Sequence, residues 1–226
     1  MNSISRYLHL IALCLFILSC NENEKRVNNA ETDLAKDTTV ASMPVRTILF
    51  FGNSLTAGYG LEPLQAFPAL IQQKIDSMNL AYKVINAGVS GETSSGGNSR
   101  IGWILEQPVD VFVLELGAND GLRGIPINET KNNLQSIIDK VKAKYPRATI
   151  IIAGMQIPPN MGLQYTSEFR AIFSDLAKKN NTRLIPFILE GVGGEEKLNQ
   201  GDGIHPTAEG QEIVAENVWR ELKTFL

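Results

Sequence analysis

Five short apolar runs alternate with longer stretches whose apolar residues recur at helical spacing, and this alternation limits the fold more than any other feature of the chain. The runs are Thr47–Phe51, Tyr82–Asn86, Val109–Leu116, Thr149–Ala153 and Arg183–Pro186. The third, β-branched and apolar, is the strongest strand candidate. Between and after them, helices are predicted over Phe67–Met78, Asn98–Glu106, Asn128–Lys144, Ser167–Lys179 and Pro206–Leu222. Leu134, Ile137, Ile138 and Val141 fall on one helical face, as do Phe169, Ile172, Phe173 and Leu176. Pro206 is read as the first residue of the last helix, where its missing N–H costs nothing. Strands alternating with helices imply a mainly parallel sheet covered on both faces. The expected fold is therefore α/β: a three-layer α/β/α sandwich around a mainly parallel five-stranded sheet.

In such sheets ligands bind beyond the carboxyl ends of the strands. Gly52-Asn53-Ser54-Leu55-Thr56 follows the first run, Ala87-Gly88-Val89-Ser90-Gly91-Glu92 the second, and Gly117-Ala118-Asn119-Asp120 the third. Asp202-Gly203-Ile204-His205-Pro206 precedes the last helix. These segments hold the groups that acyl transfer needs. A serine hydroxyl is a poor nucleophile until a neighbouring base takes its proton. Histidine is the side chain suited to that near neutrality, and an acid must orient it. Asp202 stands three residues before His205, within reach of the ring. Donors must also face the developing oxyanion. The Gly88 amide can approach closely without a Cβ, and the Asn119 side chain carries an NH₂.

These four blocks, in this order and spacing, resemble those of the SGNH (GDSL) hydrolase family, over Val45 to the C-terminus. Thr56-Ala-Gly-Tyr-Gly60, Ala66-Phe67-Pro68 and Pro159–Tyr165 resemble its thioesterase I / lysophospholipase L1 / arylesterase group. The resemblance implies a flavodoxin-like SGNH fold and cleavage of carboxylic esters or thioesters through an acyl-enzyme, with no cofactor and no metal. It implies Ser54 as nucleophile, His205 as base and then acid, and Asp202 as its orienting acid. The oxyanion hole would be the Ser54 amide, the Gly88 amide and the Asn119 side chain. The family usually has aspartate where this chain has Asn53; the amide keeps the shape and loses the charge. Asp120 is expected to fix its own loop.

Other chemistry finds less support. Gly91–Gly102 is rich in glycine and serine but lacks a phosphate-loop pattern, and is read as a flexible loop. Gly-x-Ser-x-Gly is absent, which argues against an ordinary α/β-hydrolase. One histidine outside the leader cannot supply the His-rich sets of catalytic zinc. A net charge of −3 gives no electrostatic case for nucleic acid. Met155–Tyr165 follows the fourth run and is apolar; it serves either core packing or contact with an acyl chain.

The N-terminus has its own character. Arg6 precedes the apolar Leu8–Leu18, and Ile17-Leu18-Ser19-Cys20 resembles the lipobox of bacterial lipoproteins. Residues 1–19 are thus expected to be a signal peptide, and Cys20 the lipidated first residue of the mature chain. Residues 20–44 are polar and read as a disordered tether, with residues 45–226 as the hydrolase domain. The expected setting is the bacterial cell envelope: a monomer lipid-anchored on the periplasmic side of the inner or outer membrane, acting on a small-molecule or lipid ester. A carbohydrate O-acetyl esterase, an acyl transferase and a non-catalytic binding module on the same scaffold remain as alternatives.

Overall fold

A computed structural model describes residues 44–226. The expected signal peptide, Cys20 and the expected tether up to residue 43 lie outside the described residues. In chain order, β1 (Arg46–Gly52) leads through α1 (Ser54–Ala57) and α2 (Phe67–Ser77) to β2 (Tyr82–Gly88). Then come α3 (Ser94–Ile104), β3 (Val111–Glu115), α4 (Ala118–Leu122), α5 (Ile127–Lys144) and β4 (Thr149–Ala153). The chain finishes with α6 (Leu163–Asn180), β5 (Arg183–Ile185) and α7 (Ala208–Leu222).

The five strands form one parallel sheet in the order β2-β1-β3-β4-β5. All five residues of β3 are buried, as are Ile48–Phe51 of β1 and Ile150–Ala153 of β4. These strands carry apolar side chains on both faces because helices cover both. α2 packs against α7, while α5 packs against α3 and α6. Right-handed crossovers leave these two groups on opposite faces of the sheet. The α/β/α sandwich with a parallel five-stranded sheet is the fold expected from the sequence. Its strand order reverses between β1 and β3: β1 pairs with β2 on one side and with β3 on the other. The crevice at such a reversal, beyond the carboxyl ends of the strands, is where ligands bind.

Three segments depart from the sequence reading. Most of Gly91–Gly102 is α3, not a flexible loop. Thr93 caps the helix by accepting from the Gly96 amide, and the Asp120 carboxylate holds both the Ser94 amide and its hydroxyl. Glycine inside this helix has a packing reason: a Cβ at Gly97 would collide with Leu116 and Phe51. The last helix begins at Ala208 with Thr207 as its cap, so Pro206 precedes it. α6 starts at Leu163, which shortens the apolar loop after β4. No helix among the described residues is long and apolar enough to cross a membrane.

Candidate active site

β1 ends at Gly52, and the chain turns at once into the single turn of α1, which presents Ser54. Asn53 caps that turn: its Oδ1 accepts from the Leu55 amide at 3.0 Å. Below the turn, at the end of β3, lies Glu115, fully buried. The Asn53 and Thr56 amides, the Thr56 hydroxyl and the Asn53 side-chain NH₂ all donate to its carboxylate. Gly52 must be glycine, because a Cβ there would overlap the Thr56 and Glu115 side chains. Burial pushes the pKa of Glu115 up to about 7, against the pull of those hydrogen bonds.

A carboxyl group whose folded pKa exceeds its unfolded value binds its proton more tightly when folded. Its stabilising contribution is full below about 4.5 and is lost as pH rises through about 7. The loss is on the order of 3 kcal/mol. Each kcal/mol is worth roughly 2–4 °C in a domain of this size. The Tm of the wild type relative to Glu115→Gln is therefore expected to drop by roughly 5–10 °C between pH 5 and pH 8. Thermal unfolding of both proteins across that range checks it; a constant gap contradicts it.

His205 arrives from the loop before α7. Its Nε2 is 2.8 Å from Ser54 Oγ, and its Nδ1 is 2.6 Å from Asp202 Oδ2. With Nδ1–H donating to the carboxylate, Nε2 is left to accept the Ser54 proton, the tautomer that the network selects. Asp202 Oδ1 accepts from the Ile204 and His205 amides, each at 3.0 Å, so the short loop folds around its own acid. The bond from His205, with the Ile204 amide next, holds the Asp202 pKa down at about 2. Asp202 thus stays ionised throughout the neutral range. The loop is pinned from outside as well. The Gln200 amide donates to the His205 carbonyl, and its side chain donates to the carbonyls of Tyr59 and Pro206. The Tyr59 ring lies 4.6 Å from the imidazole, centroid to centroid.

The expected oxyanion donors divide. The Ser54 amide opens α1 and has no acceptor within that helix. The Asn119 side chain gives one N–H to the Glu92 carbonyl at 3.0 Å and keeps the other. Gly88 does not take the place expected of it. It still belongs to β2, its amide donates to Asn86 Oδ1 at 2.9 Å, and it does not line the cleft. Close packing explains the glycine instead: a Cβ there would run into the backbone of Thr56 and Ala57. Three residues on, Gly91 lines the cleft beside Ser54 and Asn119, and its amide has no acceptor among the described residues. The available signal was that two glycines follow β2, and that only the second lies past the strand end. Gly91 has φ +79°, a conformation that side chains with Cβ rarely adopt.

Two further assignments change in detail. Asp120 does more than fix its own loop: besides Ser94 it receives the Thr130 hydroxyl, tying α4 to α3 and α5. Arg100, from α3, pairs with the Glu92 carboxylate and donates to the Ala87 carbonyl, which steadies the segment carrying Gly91. Among the described residues, no group of three or more His, Cys, Asp or Glu side chains could hold a metal ion.

Ser54 and His205 open onto a cleft of about 570 Å³. Its lining includes the apolar Met155, Ile157, Phe187 and Leu189. Met155 and Ile157 are also buried, so the segment after β4 both packs into the core and faces the cleft.

Known proteins share this arrangement of sequence and fold. The chain is 40% identical over 182 residues to Esterase TesA of Pseudomonas aeruginosa, covering 80% of this chain and 90% of that protein. It is 38% identical over 181 residues to the thioesterase 1/protease 1/lysophospholipase L1 of Escherichia coli, covering 80% and 85%. The crystal structure of the psychrotrophic esterase EstA from Pseudoalteromonas sp., inhibited by monoethylphosphonate, superposes with a TM-score of 0.75 at 34% identity, covering 79% of this chain and 97% of that one. The model of the GDSL-like lipase/acylhydrolase family matches residues 50–213. On these grounds, and on the fold and site just described, the chain belongs to the GDSL-like lipase/acylhydrolase family.

Proposed function

We propose that the protein hydrolyses carboxylic ester or thioester bonds through an acyl-enzyme intermediate. The observation that carries this reading is the continuous line Ser54 Oγ–His205 Nε2 and His205 Nδ1–Asp202 Oδ2, at 2.8 and 2.6 Å, beside a partly apolar cleft that Ser54 and His205 line. Ser54 Oγ attacks the carbonyl carbon while its proton passes to His205 Nε2. The oxyanion of the tetrahedral intermediate receives the amides of Ser54 and Gly91 and the free N–H of Asn119. The intermediate collapses, His205 returns the proton to the leaving oxygen or sulfur, and the alcohol or thiol departs. Water then attacks the acyl carbon as its proton passes to His205, and the second tetrahedral intermediate collapses to the free acid as His205 returns that proton to Ser54 Oγ. Asp202 steadies the imidazolium in both halves without taking its proton. The names of the relatives, an esterase and a thioesterase/lysophospholipase, support the same bond class.

For location the proposal rests on the sequence. Leu8–Leu18 followed by Ser19-Cys20 supports export and lipidation at Cys20, and hence anchoring on the periplasmic side of an envelope membrane. More than one acyl chain on a single cysteine is enough for stable anchoring. An exported enzyme does not meet cytosolic acyl-CoA, so lysophospholipids and simple esters suit it better.

The test is hydrolysis of p-nitrophenyl esters from acetate to palmitate by the wild type and Ser54→Ala. Turnover is expected to need Ser54, and the apolar lining of the cleft predicts faster release of butyrate to octanoate than of acetate. A fastest rate on acetate moves the reading to an acetyl esterase. Equal rates in the two proteins overturn the mechanism in favour of a binding module.

A further inference from the structure

Glu115 has no part in the mechanism above, yet it is a fully buried carboxylate directly beneath the nucleophile. Its oxygens are spoken for on every side by donors. Oε2 accepts from the Asn53 amide at 3.1 Å, the Thr56 amide at 3.2 Å and the Thr56 hydroxyl at 2.7 Å. Oε1 accepts from Asn53 Nδ2 at 2.8 Å. These residues flank Ser54, so the backbone on both sides of the nucleophile hangs from one side chain of the neighbouring strand. The other half of the Asn53 amide, Oδ1, lies 3.4 Å from Ser54 Oγ and accepts the Leu55 amide.

We propose that Glu115 is a positioning residue for the reaction: its carboxylate clamps the turn that presents Ser54, and Asn53 supplies the donor that lets the clamp hold without a shared proton. A carboxylate at position 53 would set two acceptors face to face at the Oε1 contact. Such a pair cannot ionise twice at that distance and keeps a proton between its oxygens. The amide carries its own hydrogens, so once Glu115 has ionised the clamp in this chain has no further proton to lose. The surroundings add no competing charge. β4 has no ionisable side chain, and those of β1 and β2 (Arg46, Tyr82 and Lys83) lie at the opposite end of the sheet. Arg100 of α3 reaches the Gly52 carbonyl, Asp120 of α4 holds Ser94, and His205 reaches Ser54. None of these bonds to Glu115, whose shift has only burial and the Asn53 and Thr56 bonds as causes.

The inference rests on Ser54 being the nucleophile, and an exchange of partners tests it separately. Glu115→Gln turns an NH₂ toward the Asn53 NH₂, donor against donor. Asn53→Asp sets acceptor against acceptor. The double variant Asn53→Asp/Glu115→Gln restores one donor and one acceptor with the roles reversed. Initial rates on a p-nitrophenyl ester are measured from pH 6 to pH 10 for these three, the wild type and Ser54→Ala. Glu115→Gln is expected to lose about 10–100-fold in kcat above about pH 8, where Glu115 is ionised, with KM nearly unchanged, the size of effect that a displaced reacting group produces. Asn53→Asp is expected to work while its proton remains and to fall away at alkaline pH, where the wild type does not. The double variant should return to within about tenfold of the wild type and lose the added alkaline fall. Should Glu115→Gln not fold, Asn53→Asp and the double variant carry the comparison. Losses that simply multiply in the double variant, or a wild-type kcat in Glu115→Gln above about pH 8, overturn the inference. Activity that survives Ser54→Ala would instead remove the hydrolase reading on which it stands.

Discussion

Replacing His205 by alanine is expected to lower kcat by on the order of 10⁴–10⁶-fold, with little change in KM. The size follows from how much passes through one ring. Its Nε2 is the acceptor for the Ser54 proton at 2.8 Å, and the same nitrogen must later protonate the leaving group. No second imidazole can stand in: the chain has two histidines, and the other, His9, is in the expected leader. Asp202 cannot take over, since the bond it makes to the ring holds its pKa at about 2 and it touches the ring, not the serine. The expected remnant is the catalysis that binding and oxyanion donors supply alone. Steady-state kinetics on a p-nitrophenyl ester measure it. A loss under about 100-fold would mean that another group deprotonates Ser54.

Asn119→Ala is expected to lower kcat by about 10²–10³-fold, again with KM nearly preserved. The donor matters only where charge develops, so its removal should spare the ground state. The structure gives the side chain a fixed aim: one N–H is committed to the Glu92 carbonyl, which leaves the other directed by the planarity of the amide. Glu92 is itself held by Arg100, an ion pair whose carboxylate is only 7% exposed. The same experiment on matched ester and amide substrates, read as kcat and KM separately, checks the assignment. An effect confined to KM would make Asn119 a substrate contact and leave the oxyanion to the amides of Ser54 and Gly91.

The fold was largely legible because its strands are apolar on both faces. Thr149–Ala153 has the bounds expected of it, and Val109–Leu116 exceeds β3 at both ends because buried apolar residues, Val109 and Leu116, flank the paired segment. α3 was harder. Its first turn is Ser-Ser-Gly-Gly, a poor helix by propensity, and it forms because Thr93 caps it and Asp120, distant in sequence, holds Ser94. Such a tertiary override leaves no local trace. The site was legible where chemistry names its residues. Ser54, Asp202 and His205 meet at hydrogen-bonding distance, and Asn119 reaches the cleft. It was illegible where backbone conformation decides. Gly88 and Gly91 are equal in composition, and only the strand end separates a packed glycine from one whose amide is free. The clamp on Glu115 was hidden for another reason: inside an apolar run, a carboxylate shows nothing of the donors that other segments bring to it.

The most direct test of the central claim is covalent. The wild type and Ser54→Ala are treated with a fluorophosphonate, which forms a stable tetrahedral adduct with an activated serine, and the products are read by intact mass and peptide mapping. The account predicts one adduct per chain, on Ser54, and none on Ser54→Ala. A protein that takes no adduct, or takes it equally in both forms, would contradict it.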